Sequence, residues 1–486
     1  MKIVLLLLTF TAACLCADFI LDTSLTTKFD HFWERCVGSG HAALALREDY
    51  RKHLKLAHDE LGFKYVRFHG LFDDDMSVVK MPTDLSKYQY SFFNINSVFD
   101  FLLSIGMKPL IELSFMPTAF ASGNATTMHY KGNITPPKEY KQWSDLIVAF
   151  TRHIIDRYGE QEVSSWPFEV WNEPNLKDVF WTSTQEEYFH FYQATAIAIK
   201  SVNNKLQVGG PSTAGSQWIP EFLNFTRHYD VPVDFISTHT YPTDEQPEER
   251  NALERITKRT REFVGDLPLY YTEWNCGLVE YGQGDQFHQD SSYTAPYIVS
   301  AMGRVGSHVD IFSYWTFSDI FEEQGMPPAP YIGAFGMMTK YGTRKASWRA
   351  FELLHKSGNK RIHLSGQDPT VDVLATTDGE RNMIFVSNYE ILNKVVDFKK
   401  KNIKVLGVPP VGKLTLTRVD AENASGYNAW LKMGQPTYPT KEQINIMEES
   451  SQLTYNNVVY QLEENGFSFN VSVPPYGLAV IGYKIK

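Results

Sequence analysis

From about residue 31 to residue 320, eight short apolar runs alternate with longer stretches of helical spacing, which restricts the chain to architectures built from βα units. The runs are Trp33–Val37, Tyr65–His69, Pro109–Leu113, Phe168–Trp171, Gln207–Gly209, Asp234–His239, Leu269–Glu273 and Ile311–Trp315. Between them, Leu46, Tyr50, Leu54 and Leu61 recur at helical intervals, as do Trp143, Leu146, Ile147, Phe150 and Ile154. An open doubly wound sheet carries the same alternation, and two observations separate the architectures. Polar residues gather at the C-terminal ends of the runs, at His69, Asn172, Glu173, His239 and Glu273, with Asp319 and Glu322 beyond the last. That is the arrangement expected where all strand ends converge on one mouth. In addition, no glycine-rich phosphate loop follows the first run. The pattern predicts an α/β fold, a (β/α)8 TIM barrel.

The 486 residues exceed a barrel of roughly 250 residues, and the surplus has its own pattern. After a Gly/Pro-rich connection at 325–336 and a helical stretch at Trp348–Leu354, the apolar period changes to two. Val371–Thr376, Met383–Asn388, Lys413–Val419, Phe467–Val473 and Leu478–Lys484 read as antiparallel strands of a C-terminal β-sandwich. The expected division is a leader at 1–17, a lead-in strand at 18–30 joining the sandwich, the barrel at 31–354 and the sandwich at 355–486.

Met1-Lys2, the apolar run Ile3–Phe10 and the small residues Thr11-Ala12-Ala13 read as a signal peptide cleaved near Cys16 or Ala17. The expected destination is secretion, with a lysosome as the alternative. Sequons at Asn124, Asn133, Asn224, Asn423 and Asn470 are compatible with glycosylation on that route. A net charge of -10 argues against nucleic acid and anionic membranes as partners and leaves neutral small molecules open. An aromatic content of 14% suits carbohydrate, whose C–H faces stack on rings, although most of these rings fill the core. Beyond the leader only Cys36 and Cys276 remain, so the fold does not depend on disulfides, and both a bridge and two buried thiols stay open. No spacing suits zinc or an iron–sulfur cluster, and neither cofactor nor catalytic metal is expected.

Two motifs carry chemistry. Phe168–Asn175 is a strand that stops at Pro174 just after Asn172-Glu173, which places Glu173 at the rim. Walled by Trp171 and Trp181, its carboxyl would be desolvated and its pKa raised, as a general acid requires. Leu269–Asn275 is the seventh strand, ending on Glu273 among aromatics. Strands four and seven face each other across an eight-stranded mouth. Two carboxylates roughly 5–5.5 Å apart there suit a retaining glycosidase, one as nucleophile and the other as acid and then base.

With these motifs in place, the chain resembles glycoside hydrolase family 39, in its β-xylosidase branch. The resemblance rests on Cys36–Gly40, Phe68–Leu71 with Asp74-Asp75, Trp166–Asn175, Thr272–Asn275 and Phe312–Asp319. It implies a retaining (β/α)8 enzyme with an attached β-sandwich, acting on terminal β-linked xylose of xylo-oligosaccharides or small xylosides. It assigns the acid/base to Glu173 and the nucleophile to Glu273.

Around them, Asn172 is expected to hydrogen-bond the sugar 2-hydroxyl, Tyr241 to donate to Glu273, His239 and His69 to meet the sugar, and Trp315 to stack on it. Glu322 and its neighbour Glu323 are expected to accept from sugar hydroxyls, whereas Glu112 and Glu169 read as structural acids of the barrel interior. Two other functions remain open at this level. One is an α-L-iduronidase-like hydrolase of glycosaminoglycan, although His239-Thr240-Tyr241 lacks the lysine that branch places two residues after the histidine. The other is a sugar-binding protein without catalysis, which the intact glutamates disfavour.

Overall fold

A computed structural model describes residues 17–80, 88–244, 249–278, 288–391 and 394–485; nearly all of the expected leader lies outside these residues. Eight parallel strands close into a barrel: Cys36–His41, Tyr65–His69, Lys108–Leu113, Pro167–Val170, Gln207–Thr213, Phe235–His239, Leu269–Trp274 and Ile311–Tyr314. Closure is direct, with Tyr314 of the eighth strand paired to Val37 of the first. A helix follows each strand, from Glu48–Leu61 to Ala346–His355, and buries an apolar stripe such as Trp143, Leu146, Ile147, Phe150 and Ile154 against the strands.

The first strand starts three residues later than the sequence suggests. Phe32–Arg35 is a 3₁₀ turn instead, with Phe32, Trp33 and Glu34 buried. The strand then runs through Gly38-Ser39-Gly40, small residues that are buried throughout. A side chain at Gly38 would bring its Cβ to 2.5 Å from the Trp315 ring, so the glycine is what lets that indole lie across the strand. Cys36 opens the first strand at the bottom, while Cys276 follows the end of the seventh at the top; both are buried free thiols, and no bridge joins them.

The second layer system is a ten-stranded, mostly antiparallel sheet. Phe19–Lys28 enters it between Lys360–Ser365 and Lys399–Leu406, antiparallel to the first and parallel to the second. The order ends on Asn456–Val458 at one side and Tyr460–Glu463 at the other, two halves of one bent segment around residue 459. The sheet therefore curls back on itself over an apolar interior of Phe19, Ile362, Ile384, Ile403, Phe469 and Ile481. Helices Gly426–Lys432 and Lys441–Ser450 leave this module, and Trp430 and Met447 pack on Ala329 and Tyr331 of the connection after strand eight. The sandwich thus braces the segment that closes one side of the mouth. Of the sequons, Asn124, Asn224 and Asn470 are exposed, whereas Asn133 is buried with its amide donating to Gly123 O at 2.9 Å.

Candidate active site

The fourth strand ends at Val170, and the chain then turns through left-handed backbone at Trp171 (φ 72°) and Glu173 (φ 43°), with the Glu173 N–H held by Ser212 O at 2.8 Å. Such strain persists only where the surroundings impose it. Here it breaks the strand alternation and turns the Glu173 carboxyl over the mouth. Trp171 and Trp181 are not its walls. Their rings pack together at 5.2 Å and against Phe191 of the following helix, and Phe180 lines the cavity instead.

Glu273, in the seventh strand, faces Glu173. One carboxylate oxygen from each and a His239 ring nitrogen all lie within 4.8 Å of one another. The two acids have different partners. His239 Nδ1 meets Glu173 Oε1 at 2.8 Å. Glu273 accepts from Arg67 Nη1 at 2.6 Å through Oε1, and from the Tyr241 hydroxyl at 2.7 Å through Oε2. Burial pushes the Glu173 carboxyl up to about 7, partly offset by the charges of His69 and Arg67. Burial also raises Glu273, with His239 and Arg67 pulling the other way. His239, fully buried, is pushed down to about 4 and is a neutral imidazole at working pH. A protonated Glu173 beside an ionised Glu273 is the pairing a double displacement needs.

Arg67, absent from the expected set, organises the floor. Glu112 and Glu169 sit side by side on strands three and four and would repel, but the fully buried guanidinium lies on both and reaches Asn172 Oδ1 at 2.9 Å. Thr272 donates to the second oxygen of Glu169 at 2.7 Å. Glu112 and Glu169 are both fully buried and ion-paired with Arg67. The signal for Arg67 was present in the sequence: it is a charged residue two before His69 in a strand, and so on the same face.

The cavity above has a volume of about 320 Å³. Asn172 lines it with its carbonyl occupied by Arg67, leaving the amide NH₂ as a donor. His69 lines it too, held by Glu112 at 2.7 Å; against burial, which would lower it, neighbouring acids push its pKa up to about 10. Trp315 and Tyr241 also line it, while His239 is not in the lining. Glu322 is a correction. Its carboxylate turns to His41 Nδ1 at 3.0 Å, and Glu323 lines the cavity instead, its Oε1 3.5 Å from His69 Nε2. In an irregular segment adjacent residues point to opposite sides, and no periodicity told which faced inward.

A family model for glycosyl hydrolases family 39 matches residues 20–460. A β-xylosidase of Caldicellulosiruptor saccharolyticus is 44% identical over 473 residues, covering 94% of this chain and 96% of the relative. A β-xylosidase of Geobacillus stearothermophilus is 34% identical over 447 residues, 86% of each chain. Among solved structures, a monomeric β-xylosidase from Caulobacter crescentus CB15 aligns with a TM-score of 0.85 at 33% identity, covering 96% of this chain and 99% of that one.

Proposed function

The chain belongs to glycosyl hydrolases family 39, and we propose that Glu173 and Glu273 carry the double displacement by which it hydrolyses β-xylosides with retention. The observation that supports these roles is the unequal environment of two carboxyls whose oxygens lie within 4.8 Å of each other. Glu273, fixed through both oxygens by Arg67 and Tyr241, is held for attack on the anomeric carbon. Glu173, neutral below about pH 7, donates its proton to the departing oxygen. Once the glycosyl-enzyme has formed, the ionised Glu173 takes a proton from the attacking water, and the second displacement restores the β configuration. The Asn172 amide is placed to bond the 2-hydroxyl, a contact that strengthens as the oxocarbenium-like state forms.

A cavity of about 320 Å³ is at the small end of ligand pockets, roughly 300–1,000 Å³, and suits a terminal sugar ring rather than the middle of a chain. The glycosaminoglycan and non-catalytic readings are disfavoured by the same residues. None of the described residues lining the cavity is Lys or Arg, and its cation, His69, is already flanked by Glu112, Glu273 and Glu323. A panel of aryl glycosides tests the sugar preference: the β-xyloside should have the highest kcat/KM, and faster hydrolysis of the glucoside or galactoside would overturn it.

We further propose that residues 1–17 direct export. Phe19 already begins the first sandwich strand, so cleavage near Ala17 leaves that strand whole. N-terminal sequencing of chain recovered from medium should begin close to Asp18; retention inside the cell with Met1 intact would contradict export.

A further inference from the structure

Next to the sugar cavity, on the rim shared by the first, second and eighth strands, three side chains converge that the hydrolysis does not use. His41 ends the first strand and is fully buried; Asp73, also buried, and the half-exposed Asp75 lie in the loop after the second strand. His41 Nε2 stands 3.1 Å from Asp73 Oδ2 and 3.3 Å from Asp75 Oδ1, and one ligand atom from each residue lies within 4.8 Å of the others. Despite this proximity, neither His41 Nε2 nor Asp73 Oδ2 completes an aligned hydrogen bond. The two atoms are thus ion-paired at a distance without a directed bond between them. On the other edge of the ring, Nδ1 meets the Glu322 carboxylate at 3.0 Å, and the Tyr130 ring stacks flat on the imidazole at 3.9 Å.

The histidine and its carboxylates have the make-up of a cation site. A metal-binding histidine characteristically gives its other N–H to a carboxylate, which fixes the tautomer and aims the free lone pair at the ion. Tetrahedral zinc with bonds of about 2.0–2.2 Å sets neighbouring ligand atoms about 3.3–3.5 Å apart. The 3.3 Å separation matches that spacing, and the 3.1 Å one lies midway between it and the roughly 2.7–2.9 Å of charge-assisted hydrogen bonds. One imidazole with two carboxylates selects a zinc-like ion over calcium or magnesium, which favour all-oxygen shells.

We propose that His41, Asp73 and Asp75 form a binding site for a zinc-class divalent cation at the rim of the barrel mouth, with Glu322 orienting the histidine. The half-exposed Asp75 marks the entry side, where water completes the shell. The ion ties the end of strand one to the loop after strand two and, through the Glu322 bond to His41, to the segment after strand eight, whose Glu323 faces the sugar cavity. Its role is to staple the rim, and it takes no part in the displacement. The site is independent of the hydrolytic reading and can fail without it.

The test uses the tag-free, full-length chain after chelator treatment, titrated with Zn²⁺ by equilibrium dialysis and then with Co²⁺ as a spectroscopic substitute. One Zn²⁺ per folded chain, an intense visible Co²⁺ band of tetrahedral type and a Tm that rises with Zn²⁺ are expected. Glu322→Gln should weaken binding by about 10–100-fold, the usual effect of losing the carboxylate behind a ligand histidine. Asp75→Asn, at a half-exposed position compatible with folding, should weaken it at least as much, with circular dichroism confirming an unchanged fold. If folded wild type takes up no stoichiometric Zn²⁺, or if both variants bind it as tightly as wild type, the rim cluster is only an imidazolium ringed by acids and the proposal is overturned.

Discussion

Arg67 Nη1 lies 2.6 Å from Glu273 Oε1 inside the barrel, and the same guanidinium also holds Glu112 and Glu169. The nucleophile is thus one corner of a buried cluster in which three carboxylates share one arginine, with His69 as a second cation beside Glu112. Such a cluster confers geometry rather than net stability. Each charge has given up water, and the attraction repays that loss only while every partner is present.

Arg67→Met should therefore destabilise the fold strongly. Removing one partner of a buried ion pair costs about 3–5 kcal/mol, and here three acids lose their shared counter-charge. In whatever folded enzyme remains, the acid limb of kcat/KM should move to higher pH, because the Arg67 charge is one of those that pull the Glu273 carboxyl downward. Denaturant melts and a pH–rate profile check both. An unchanged midpoint and profile would contradict the organising role of Arg67.

Glu173→Ala should slow release of basic leaving groups by about 10²–10⁴-fold and activated phenols far less, since only the former need protonation. Azide should partly restore turnover by attacking the glycosyl-enzyme without base assistance. Uniform losses across leaving groups, with no rescue, would falsify the acid/base assignment.

The pH dependence follows from which form of each acid reacts. Glu173 must carry its proton to donate it, and its carboxyl is pushed up to about 7, so kcat/KM should fall as pH rises through about 7. Glu273 must be ionised to attack, and burial raises it, so the acid limb should lie above the ordinary glutamate value. The resulting bell should lose its basic limb in Glu173→Gln, measured with an activated aryl xyloside. A basic limb that survives in that variant would belong to another group.

A neutral β-xyloside should be preferred over an α-L-iduronide by a wide margin. The iduronide brings a carboxylate toward a cavity edged by Glu323 and Glu273. Two like charges about 4 Å apart at an effective dielectric near 20 repel by roughly 4 kcal/mol, nearly a thousandfold in binding. Comparing kcat/KM for the two aryl glycosides between pH 4 and 7 measures it, and an iduronide preference would count against the xyloside reading.

The barrel was legible because its strands keep their polar ends at one mouth and its helices keep a clean apolar stripe. Glu173 and Glu273 were legible for the same reason, each standing at the end of a strand among aromatics. What escaped was what periodicity does not encode. Lys399–Leu406 joins the sandwich through Ile403 and Val405 alone, its other residues being partly or fully exposed, so it does not read as a strand. Arg67 was overlooked because a charge inside a strand has no partner visible in the chain; Glu112, Glu169 and Glu273 are brought to it only by barrel closure. The choice between Glu322 and Glu323 depended on a segment with no repeat, and the walls of Glu173 depended on backbone strain at Trp171 that reverses the side-chain direction.

The most direct measurement of the central claim is trapping with an activated 2-fluoro-β-xyloside, followed by intact mass and peptide mapping. The fluorine destabilises the oxocarbenium-like transition states, and an activated leaving group lets the first displacement outrun the second. The account predicts one added 2-fluoroxylosyl group per chain, carried on the peptide containing Thr272-Glu273-Trp274 and absent in Glu273→Gln. A label on Glu173 or any other side chain, or an inverted anomeric product in the unlabelled reaction followed by NMR, would contradict it.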